Sequence, residues 1–507
     1  MTMTQKKSES DNLSTRKQRH IIRRVIVRGT LILNTPTCLG SGDADSPTDL
    51  PLLRDSISDH ALLTGSSIAG ALRNYLKERE HGYMASEQAN DLATLLFGGM
   101  RSDDDGNQSP LIIDDAISTK IPTVELRDGV EIKSTTGTAK KGQKYDLELL
   151  AAGTEFTLCF ELLIEQKQDP IEQQNYEEKL IKSLALALQG IELGEIGIGM
   201  KKRRGFGRAK VKAWQVWQFN LTQDDKRLEW LLFDHWCREL SPERETYSSI
   251  VTALDVSLDE EEDKRDRFTI HATFKLVGSM LIRSGQDSTG CAPDVVHLKS
   301  HRPGKTDPES ILSGTSLAGV LRHRAERIVK TLGSFSPVVD ELFGFVVGKQ
   351  AKASRLVVHE KVIKDATDLV QNRIAIDRFT GGAYHGALFD EQPIFGGDET
   401  IVTIELELRN PKEYEIGLLL LLLKDLWTED LPVGGESSIG RGRLKGIQAD
   451  LIRHHPENPK KWQITADNEK LKIEDRLNLS KTEKSVKDEL EEFVKALLKQ
   501  LGQEGSK

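Results

Sequence analysis

Apolar and polar positions follow the same series of patterns twice along the chain. Strands with apolar residues at every second position open the two series, at Val25–Leu33 and at Phe268–Leu276. This period of two is typical of a strand with one buried face. Helical spacing follows late in each series, around Tyr176–Leu188 and Tyr414–Leu426. The order strand, helix, strands, helix, loop and strand predicts a ferredoxin-like unit in each half.

A ten-residue segment supports this repeat. Thr64–Arg73 has the sequence TGSSIAGALR, and Ser313–Arg322 has the sequence SGTSLAGVLR. A Leu-Phe-Gly motif, an apolar triplet and a glycine-rich loop follow in the same order in both halves, as expected of tandem domains with loops of unequal length. The fold class is therefore predicted to be α+β, with two tandem ferredoxin-like domains.

Length and composition place the boundaries between these units. The chain has 507 residues, which fits about two to four domains. Seven of the twelve residues from Asp255 to Asp266 are acidic, which indicates a solvated linker. The predicted parts are a disordered polar tail at 1–19, a first domain at 20–217, a helical and acidic linker at 218–266, a second domain at 267–450 and a C-terminal extension at 451–507.

An amphipathic helix is predicted within the C-terminal extension. Apolar residues recur with helical spacing from Val486 to Leu501, and Ser480 with Glu483 has the pattern of a capping box. The apolar face must be covered. Packing on the second domain and binding to a partner subunit are both open at this point.

Charge and cysteine usage exclude several classes of protein. The 70 basic and 79 acidic residues give a net charge of −9, so the chain as a whole does not attract polyanions. The four cysteines are far apart, which suggests neither a zinc ribbon nor a disulfide framework and fits the cytoplasm. The longest apolar run, Ile416–Leu423, is too short for a membrane span, so no membrane partner is expected.

Positive charge is nevertheless concentrated in a glycine-rich loop late in each half. Between Met200 and Lys212 there are seven basic residues and no acidic residue. Glycines let backbone N–H groups approach phosphates while Lys and Arg neutralise their charge, so these loops predict polynucleotide binding. A solvated turn with incidental charge is the alternative, which recurrence in both halves disfavours. The predicted contacts are Lys201, Lys202, Arg203, Arg204, Gly205, Gly207 and Arg208 in the first half, and Gly440, Arg441, Gly442 and Arg443 in the second.

The starts of the repeated helices form a second predicted anion site. Free N–H groups and the helix dipole favour phosphate at such a start, and an arginine follows two turns later in each copy. Simple capping of the helix is the alternative. The residues concerned are Ser66, Ser67 and Arg73 in the first half, and Thr315, Ser316 and Arg322 in the second.

The repeated helix, the late Gly-Arg-Gly loop and the segment Ile376–Gly381 together resemble the RAMP superfamily, specifically the Cas-seven-like backbone subunits of type III CRISPR effector complexes. The likeness covers about residues 20–217 and 267–450, and one chain with two such units is similar to the fused backbone subunits of type III-D systems. The resemblance implies ferredoxin-like (RRM-related) palms that grip a guide crRNA. It also implies thumb hairpins that wedge into the guide–target duplex, and other effector subunits as partners.

The resemblance also assigns thumb and catalytic residues. Thumb hairpins are expected at 127–145, with Lys133, Lys140 and Lys141, and at 372–389, with Arg378. In catalytic members an aspartate after the first strand cleaves target RNA with a divalent metal, within the motif Asp-x-Pro-x-x-Lys/Arg-Asp. Asp49–Asp55 fits this motif, so Asp49 inherits the role together with Mg²⁺ or Mn²⁺. In the second copy Asp294 lies at about the right place although a proline precedes it, and Asp287 shares its loop.

Target RNA can be cut by its own 2′-hydroxyl, so the protein need only align the attack and stabilise charge. An exposed aspartate titrates near pH 4 and is a poor general base, which favours a role in holding Mg²⁺ or orienting the hydroxyl. A non-catalytic guide-binding scaffold is the alternative. A metal-independent ribonuclease using histidine is a third reading, for which His60, His297 and His301 lie near the loops in question.

Overall fold

The computed structural model describes residues 19–42, 49–100, 107–133, 136–258, 262–284, 293–333, 337–467, 470–478 and 482–502. Within these residues the architecture is α+β, with two ferredoxin-like domains in tandem and a C-terminal helix. Most of the predicted tail, Asp287 and Ser480 lie outside the described residues.

A four-stranded antiparallel sheet forms the first domain, around the long strand β1 (Ile21–Leu33). Its other elements are β2 (Leu62–Leu63), α1 (Gly65–His81), α2 (Leu92–Phe97), β3 (Leu111–Ile113), β4 (Ala116–Ile117), β5 (Val124–Ile132), β6 (Ala139–Leu150), β7 (Glu155–Glu165), α3 (Pro170–Glu192) and β8 (Ala209–Asn220). The sheet order is β3-β7-β1-β8, the order of a ferredoxin-like unit. Leu72 of α1 and Leu184 of α3 share one apolar core with the sheet.

The segment between the domains packs on the first domain. It contains α4 (Asp224–Leu231) and α5 (Ile250–Leu254), and Ile250 and Leu254 are buried in the first domain's core. In the acidic run, Arg265 is buried between Asp263, at 2.6 Å, and Glu195, at 2.7 Å. Asp263, Arg265 and Asp266 are therefore paired within the protein, whereas a solvated linker stays a prediction for the rest of the acidic run.

The second domain repeats the topology on a larger sheet. Its central strands run in the order β16-β20-β9-β21, which matches the order in the first domain, while β17 pairs with another part of β20. The elements are β9 (Arg267–Val277), β10 (Ser279–Met280), β11 (Val295–Val296), β12 (Lys299–Ser300), β13 (Glu309–Leu312), α6 (Gly314–Leu332), α7 (Val338–Phe343), β14 (Phe345–Val347), β15 (Gln350–Lys352), β16 (Leu356–Val358), β17 (Lys361–Asp368), β18 (Gln371–Ile376), β19 (Ala383–Gln392), β20 (Ile394–Arg409), α8 (Glu413–Trp427) and β21 (Arg443–His454).

The C-terminal extension belongs to the second domain. Strands β22 (Lys460–Asp467) and β23 (Lys470–Asp475) lengthen its sheet, and α9 (Glu483–Gln500) packs on α8. Val486, Leu490 and Leu497 bury their side chains in the core of this domain. The side chain that caps α9 is Thr482, which accepts a hydrogen bond from the N–H of Ser485, so the predicted cap was two residues too early. Of the two predicted roles of this helix, the structure shows packing on its own domain.

Replacing Gly417 by alanine tests the contact between α8 and α9. A Cβ at this position would lie 2.2 Å from the carbonyl oxygen of Phe493, so the two helices would have to move apart. We expect the free energy of unfolding to fall by about 1–3 kcal/mol, measured by urea denaturation followed by circular dichroism.

Gly319→Ala is the matched control. Gly319 lies inside α6, and beyond the neighbouring backbone of this helix no described atom lies within 4 Å of the Cβ that the substitution adds. Because alanine favours a helix more than glycine does, this variant should match or exceed the parent's stability. Equal stability of Gly417→Ala and the parent would contradict the docking of α9.

Candidate nucleic-acid interface

The two predicted catalytic aspartates make the same contact in the two domains. Oδ2 of Asp49 accepts a hydrogen bond from the backbone N–H of Asp146 at 2.9 Å. Oδ2 of Asp294 accepts one from the backbone N–H of Asp390 at 3.0 Å. Both carboxylates are on exposed residues. Asp294 is therefore the structural equivalent of Asp49 despite the proline that precedes it.

The residue after each aspartate pairs in parallel with a strand of the hairpin. Leu50 pairs with Leu147 of β6, and Val295 pairs with Glu391 of β19. Each aspartate loop is thus held against the returning strand of a hairpin by backbone and side-chain contacts. This fixes where the carboxylate lies relative to the hairpin.

The hairpins occupy the predicted thumb positions. β5 pairs with β6 in the first domain, and β18 pairs with β19 in the second. Lys133, Lys140 and Lys141 are exposed on the first hairpin, although Lys140 forms an ion pair with Glu131 at 3.0 Å. At the tip of the second hairpin Arg378 is exposed, and the side chain of Phe379 is 99% exposed. Both tips present groups that suit nucleic acid, namely cations and an aromatic ring.

A further carboxylate lies beside Asp49. Desolvation, followed by the negative charge of Asp128, raises the pKa of Asp146, and Asp49 adds to the effect. At the second site the observed contact of Asp294 is with the backbone N–H of Asp390. Mg²⁺ prefers carboxylate oxygens and is commonly held by one or two of them together with substrate phosphates. The donor sets at both sites therefore fit Mg²⁺ or Mn²⁺.

The basic loop of the first domain docks on the second domain. Arg203 donates to the carbonyl oxygen of Ser354 at 2.7 Å, and Arg204 donates to that of Phe343 at 3.4 Å. Arg208 pairs with Glu405 at 3.3 Å. Burial, with the like charge of Arg322, lowers the pKa of Arg204. Three of the cations predicted to bind RNA thus make contacts between the domains.

Two cations of this loop remain available to a ligand. Lys202 is exposed, and Lys201 is half-buried with its Nζ 4.0 Å from the centre of the Tyr145 ring. Tyr145 lies on β6, so Lys201 stands beside the root of the first hairpin. Lys201 thus lies next to the strand that carries Lys140 and Lys141.

Close approach of the backbone requires the glycines of this loop. Gly205 has a φ of +89°, and a Cβ there would lie 2.4 Å from the backbone nitrogen of Glu360. Gly207 has a φ of +75°, and its Cβ would lie 1.9 Å from the carbonyl oxygen of Ile198. The glycines therefore serve packing within the protein, in place of the predicted approach to phosphate.

The matching loop of the second domain has the same shape and an open face. Gly440 and Gly442 have φ values of +88° and +79°, close to those of Gly205 and Gly207. No described atom lies within 4 Å of a Cβ added at Gly440. Arg441 is buried and pairs with Glu391 at 3.0 Å, whereas Arg443 is exposed. Of the predicted cations in this loop, only Arg443 faces solvent in the described structure.

The starts of α1 and α6 also differ, because the start of α1 is open and that of α6 is covered. Thr64 caps α1 by accepting from the N–H of Ser67, and Ser66 and Ser67 are exposed. The start of α6 is covered by the docked loop, because a Cβ at Gly314 would lie 2.3 Å from the carbonyl oxygen of Arg204. Next to it Thr315 remains exposed, while Ser316 is half-buried and donates its N–H to the cap Ser313.

The arginines two turns along these helices are engaged in structural contacts. Arg73 forms paired hydrogen bonds with Glu87, at 2.7 and 3.0 Å, and donates to the carbonyl oxygen of Gly99. Arg322 pairs with Asp340 at 2.6 Å and donates to the carbonyl oxygen of Gly344. Each arginine thus connects its helix to the residues that follow the next helix, α2 or α7. The predicted anion site therefore lacks a free arginine at this position.

A buried cluster of charges joins the first hairpin to the second domain. The side chain of Arg127 is 5% exposed, and its Nη1 lies 2.6 Å from Oε2 of Glu360, whose side chain is fully buried. Arg302 also pairs with Glu360, at 2.7 Å, and Glu125 accepts from Ser300 and the N–H of His301. Although burial opposes ionisation, Arg127 holds the pKa of Glu360 below its usual value.

The histidines named for metal-independent cleavage do not form an acid–base pair. His297 is buried, with one ring nitrogen on the N–H of Ile282 and the other on the carbonyl oxygen of Ile311. Burial lowers its pKa to about 4. His301 contacts Glu125, and His60 contacts the carbonyl oxygen of Ser118. These contacts do not support the prediction of a metal-independent ribonuclease that uses histidine.

Sequence reasoning missed the groups that join the domains. Glu360 and Glu125 lie in no motif, and their role depends on partners far away in the chain. Asp146 and Asp390 were also missed, although a signal existed. The separation between Asp146 and Asp390 is nearly the same as that between Asp49 and Asp294. An internal alignment extended to the hairpins would therefore have paired Asp146 with Asp390.

Fold and site together define a tandem pair of ferredoxin-like domains, each with a hairpin gripped by an aspartate loop. The model of the RAMP superfamily matches residues 30–210 and 273–445, more than half of the chain. The chain therefore belongs to the RAMP superfamily, whose members are generally CRISPR-associated RNA-binding proteins. No curated protein matches the chain. No helix of the described residues is long and apolar enough to cross a membrane.

The substitution Glu360→Gln tests the buried charge cluster between the domains. It removes the buried negative charge that pairs with both Arg127 and Arg302 and leaves Glu125 as the remaining carboxylate partner of Arg127, which we expect to lower the free energy of unfolding by about 3–5 kcal/mol. The measurement is urea denaturation of the full chain.

Glu131→Gln is the control, because it breaks an ion pair whose side chains are about half exposed, 45% for Lys140 and 54% for Glu131. This exposed pair should contribute less than about 1 kcal/mol. Equally small losses in the two variants would show that the buried cluster does not hold the domains together.

Proposed function

We propose that this protein is a guide-crRNA-binding backbone subunit of a type III CRISPR effector complex, similar to a type III-D fusion, that also cleaves target RNA. The observation that carries the proposal is the duplicated contact of Asp49 and Asp294 with the hairpin strands. Each half then supplies one thumb and one carboxylate to the guide–target duplex. Membership of a superfamily of RNA-binding proteins supports the partner class.

The proposed RNA contacts are the predicted groups that remain exposed or half-exposed. Cations at these positions would neutralise backbone phosphates, and pairing with the guide would read the sequence. Arg73, Arg203, Arg204, Arg208, Arg322 and Arg441 are not among these contacts, because protein groups hold them. The proposed contacts are Ser66, Ser67, Lys133, Lys140, Lys141, Lys201, Lys202, Thr315, Ser316, Arg378, Gly440 and Arg443.

In cleavage, the hairpins would part the duplex and hold the target backbone beside each aspartate. The 2′-hydroxyl of the target then attacks the adjacent phosphate in line, and the 5′-oxygen leaves. Asp49 with Asp146, and Asp294 with Asp390, would hold Mg²⁺ or Mn²⁺, which would supply stabilisation of charge on the phosphate. The aspartates also orient the hairpin strand through the hydrogen bonds already described.

A scaffold without cleavage is the second candidate, and the same hydrogen bonds favour it. A carboxylate that caps a hairpin strand has a structural use without any chemistry. In both cases we expect another subunit of the complex to cover the open loop around Gly440. Glu391 and Glu436 beside this loop are paired with Arg441 within the protein, at 3.0 and 2.6 Å, so such a subunit would meet Gly440 and Arg443 instead.

Paired substitutions at the aspartates separate the two candidates. Asparagine keeps an acceptor for the hairpin N–H and removes the negative charge, whereas alanine removes both. If the aspartates act in cleavage, Asp49→Asn and Asp49→Ala each abolish one cut in a complementary target RNA, and the Asp294 variants abolish another. The assay uses the assembled complex with guide RNA and Mg²⁺.

Asp59→Asn and Asp398→Asn serve as controls, because both residues are exposed acids of the same two domains. They should leave every cut intact. Loss of a cut in the alanine variants alone would assign the aspartates to capping. Undiminished cutting in all four aspartate variants would indicate that this protein is a scaffold and that other subunits cut the RNA. Undiminished cutting in EDTA would instead favour a metal-independent ribonuclease.

A further inference from the structure

Three side chains of ligand type meet where α1 ends and α2 begins. Nε2 of His81 lies 3.7 Å from Oε2 of Glu80 and 3.6 Å from Oδ2 of Asp91. Within the part of the chain that the structure describes, this is the one group of three such residues whose ligand atoms all come within 4.8 Å of one another. It contains none of the groups assigned above to RNA.

The histidine nitrogen has no hydrogen-bond partner among the described residues. Nε2 of His81 is shielded from solvent, and no described atom donates to it or accepts from it. Its distances to the two carboxylates exceed those of a hydrogen bond. By contrast, two ligands that each lie about 2.0–2.2 Å from one ion are themselves roughly 3.3–3.7 Å apart. Because a shielded polar atom without a partner is costly, its position between two carboxylates points to a bound cation.

Backbone groups hold both carboxylates in place. The N–H of Leu92 donates to Oε2 of Glu80 at 2.8 Å, and the N–H of Gln88 donates to Oδ2 of Asp91 at 3.1 Å. A carboxylate oxygen retains a second lone pair after accepting one hydrogen bond. Such outer contacts orient the ligands of a metal ion and raise its affinity.

We propose that Glu80, His81 and Asp91 bind one Zn²⁺ ion, with water as the fourth ligand. An imidazole nitrogen with two carboxylates suits zinc better than magnesium, which prefers oxygen alone. The side chains of Glu80 and His81 are 27% and 18% exposed, so the ion and its water can reach the site.

The zinc site belongs to the first domain alone and holds a loop of the domain interface. The corresponding positions of the second domain are occupied by Val329, Lys330 and Pro337, which supply no such ligand set. Between the proposed ligands lies Tyr83, whose ring packs under Arg409 of the second domain at 4.9 Å. The ion would therefore stiffen a contact between the two halves.

The test is a zinc titration of the untagged full chain after removal of metals with EDTA. We expect about one equivalent of Zn²⁺ by elemental analysis and a rise in melting temperature on adding it. His81→Gln and Glu80→Gln should raise the dissociation constant for Zn²⁺ at least about 10-fold. His323→Gln, on the matching helix of the second domain, should bind as the parent does.

Bound Co²⁺ provides a second readout, because Co²⁺ in a tetrahedral protein site absorbs visible light far more strongly than the hydrated ion, and we expect this absorption in the parent and its loss in the ligand variants. Parent protein that neither binds Zn²⁺ nor gains melting temperature from it would overturn the proposal. So would equal affinity in the parent and in both ligand variants. The Asp49 and Asp294 variants should retain the zinc, so the outcome is independent of RNA cleavage.

Discussion

The ion pair between Arg127 and Glu360 is the constraint on which the tandem arrangement depends. A charge buried this deeply is tolerated only when its partner is in place, so the first hairpin and the second domain must keep their relative position. The docked loop acts in the same direction, since Gly205 packs directly on the backbone of Glu360. The two domains are therefore joined by specific contacts as well as by the chain that connects them.

This junction explains why equivalent residues have different surroundings in the two halves. In the first domain the arginines of the basic loop contact the second domain, and Gly205 packs against that surface. In the second domain the same loop keeps its shape and presents an open face. A repeated sequence thus yields one closed and one open copy of the same surface. Asp49 and Asp294, which are exposed, make the same backbone contact in both copies.

The sequence was sufficient for the features that recur or alternate. The period of two in the first strands, the repeated helix start and the order of elements predicted both ferredoxin-like units, and the resemblance to the RAMP superfamily implied the two hairpins. The equivalence of Asp294 with Asp49 was harder to see because a proline interrupts the motif. Backbone pairing of Val295 with β19 shows it directly.

The sequence was insufficient where a residue's role depends on a distant partner. Arg203, Arg204 and Arg208 have the same local pattern whether they face solvent or another domain, and their partners lie more than 130 residues away. The apolar face of α9 likewise indicated burial but not the surface that buries it. The acidic run before the second domain gave no sign that Arg265 would be buried and paired with Asp263 and Glu195.

Ultraviolet cross-linking of the purified full chain to its bound RNA, with the linked peptides identified by mass spectrometry, tests the central claim most directly. If both halves offer a hairpin and an aspartate loop to one RNA, linked peptides will come from β5–β6 near Tyr145 and from β18–β19 near Phe379. Linked peptides from one half alone, or none from either hairpin, would contradict the account.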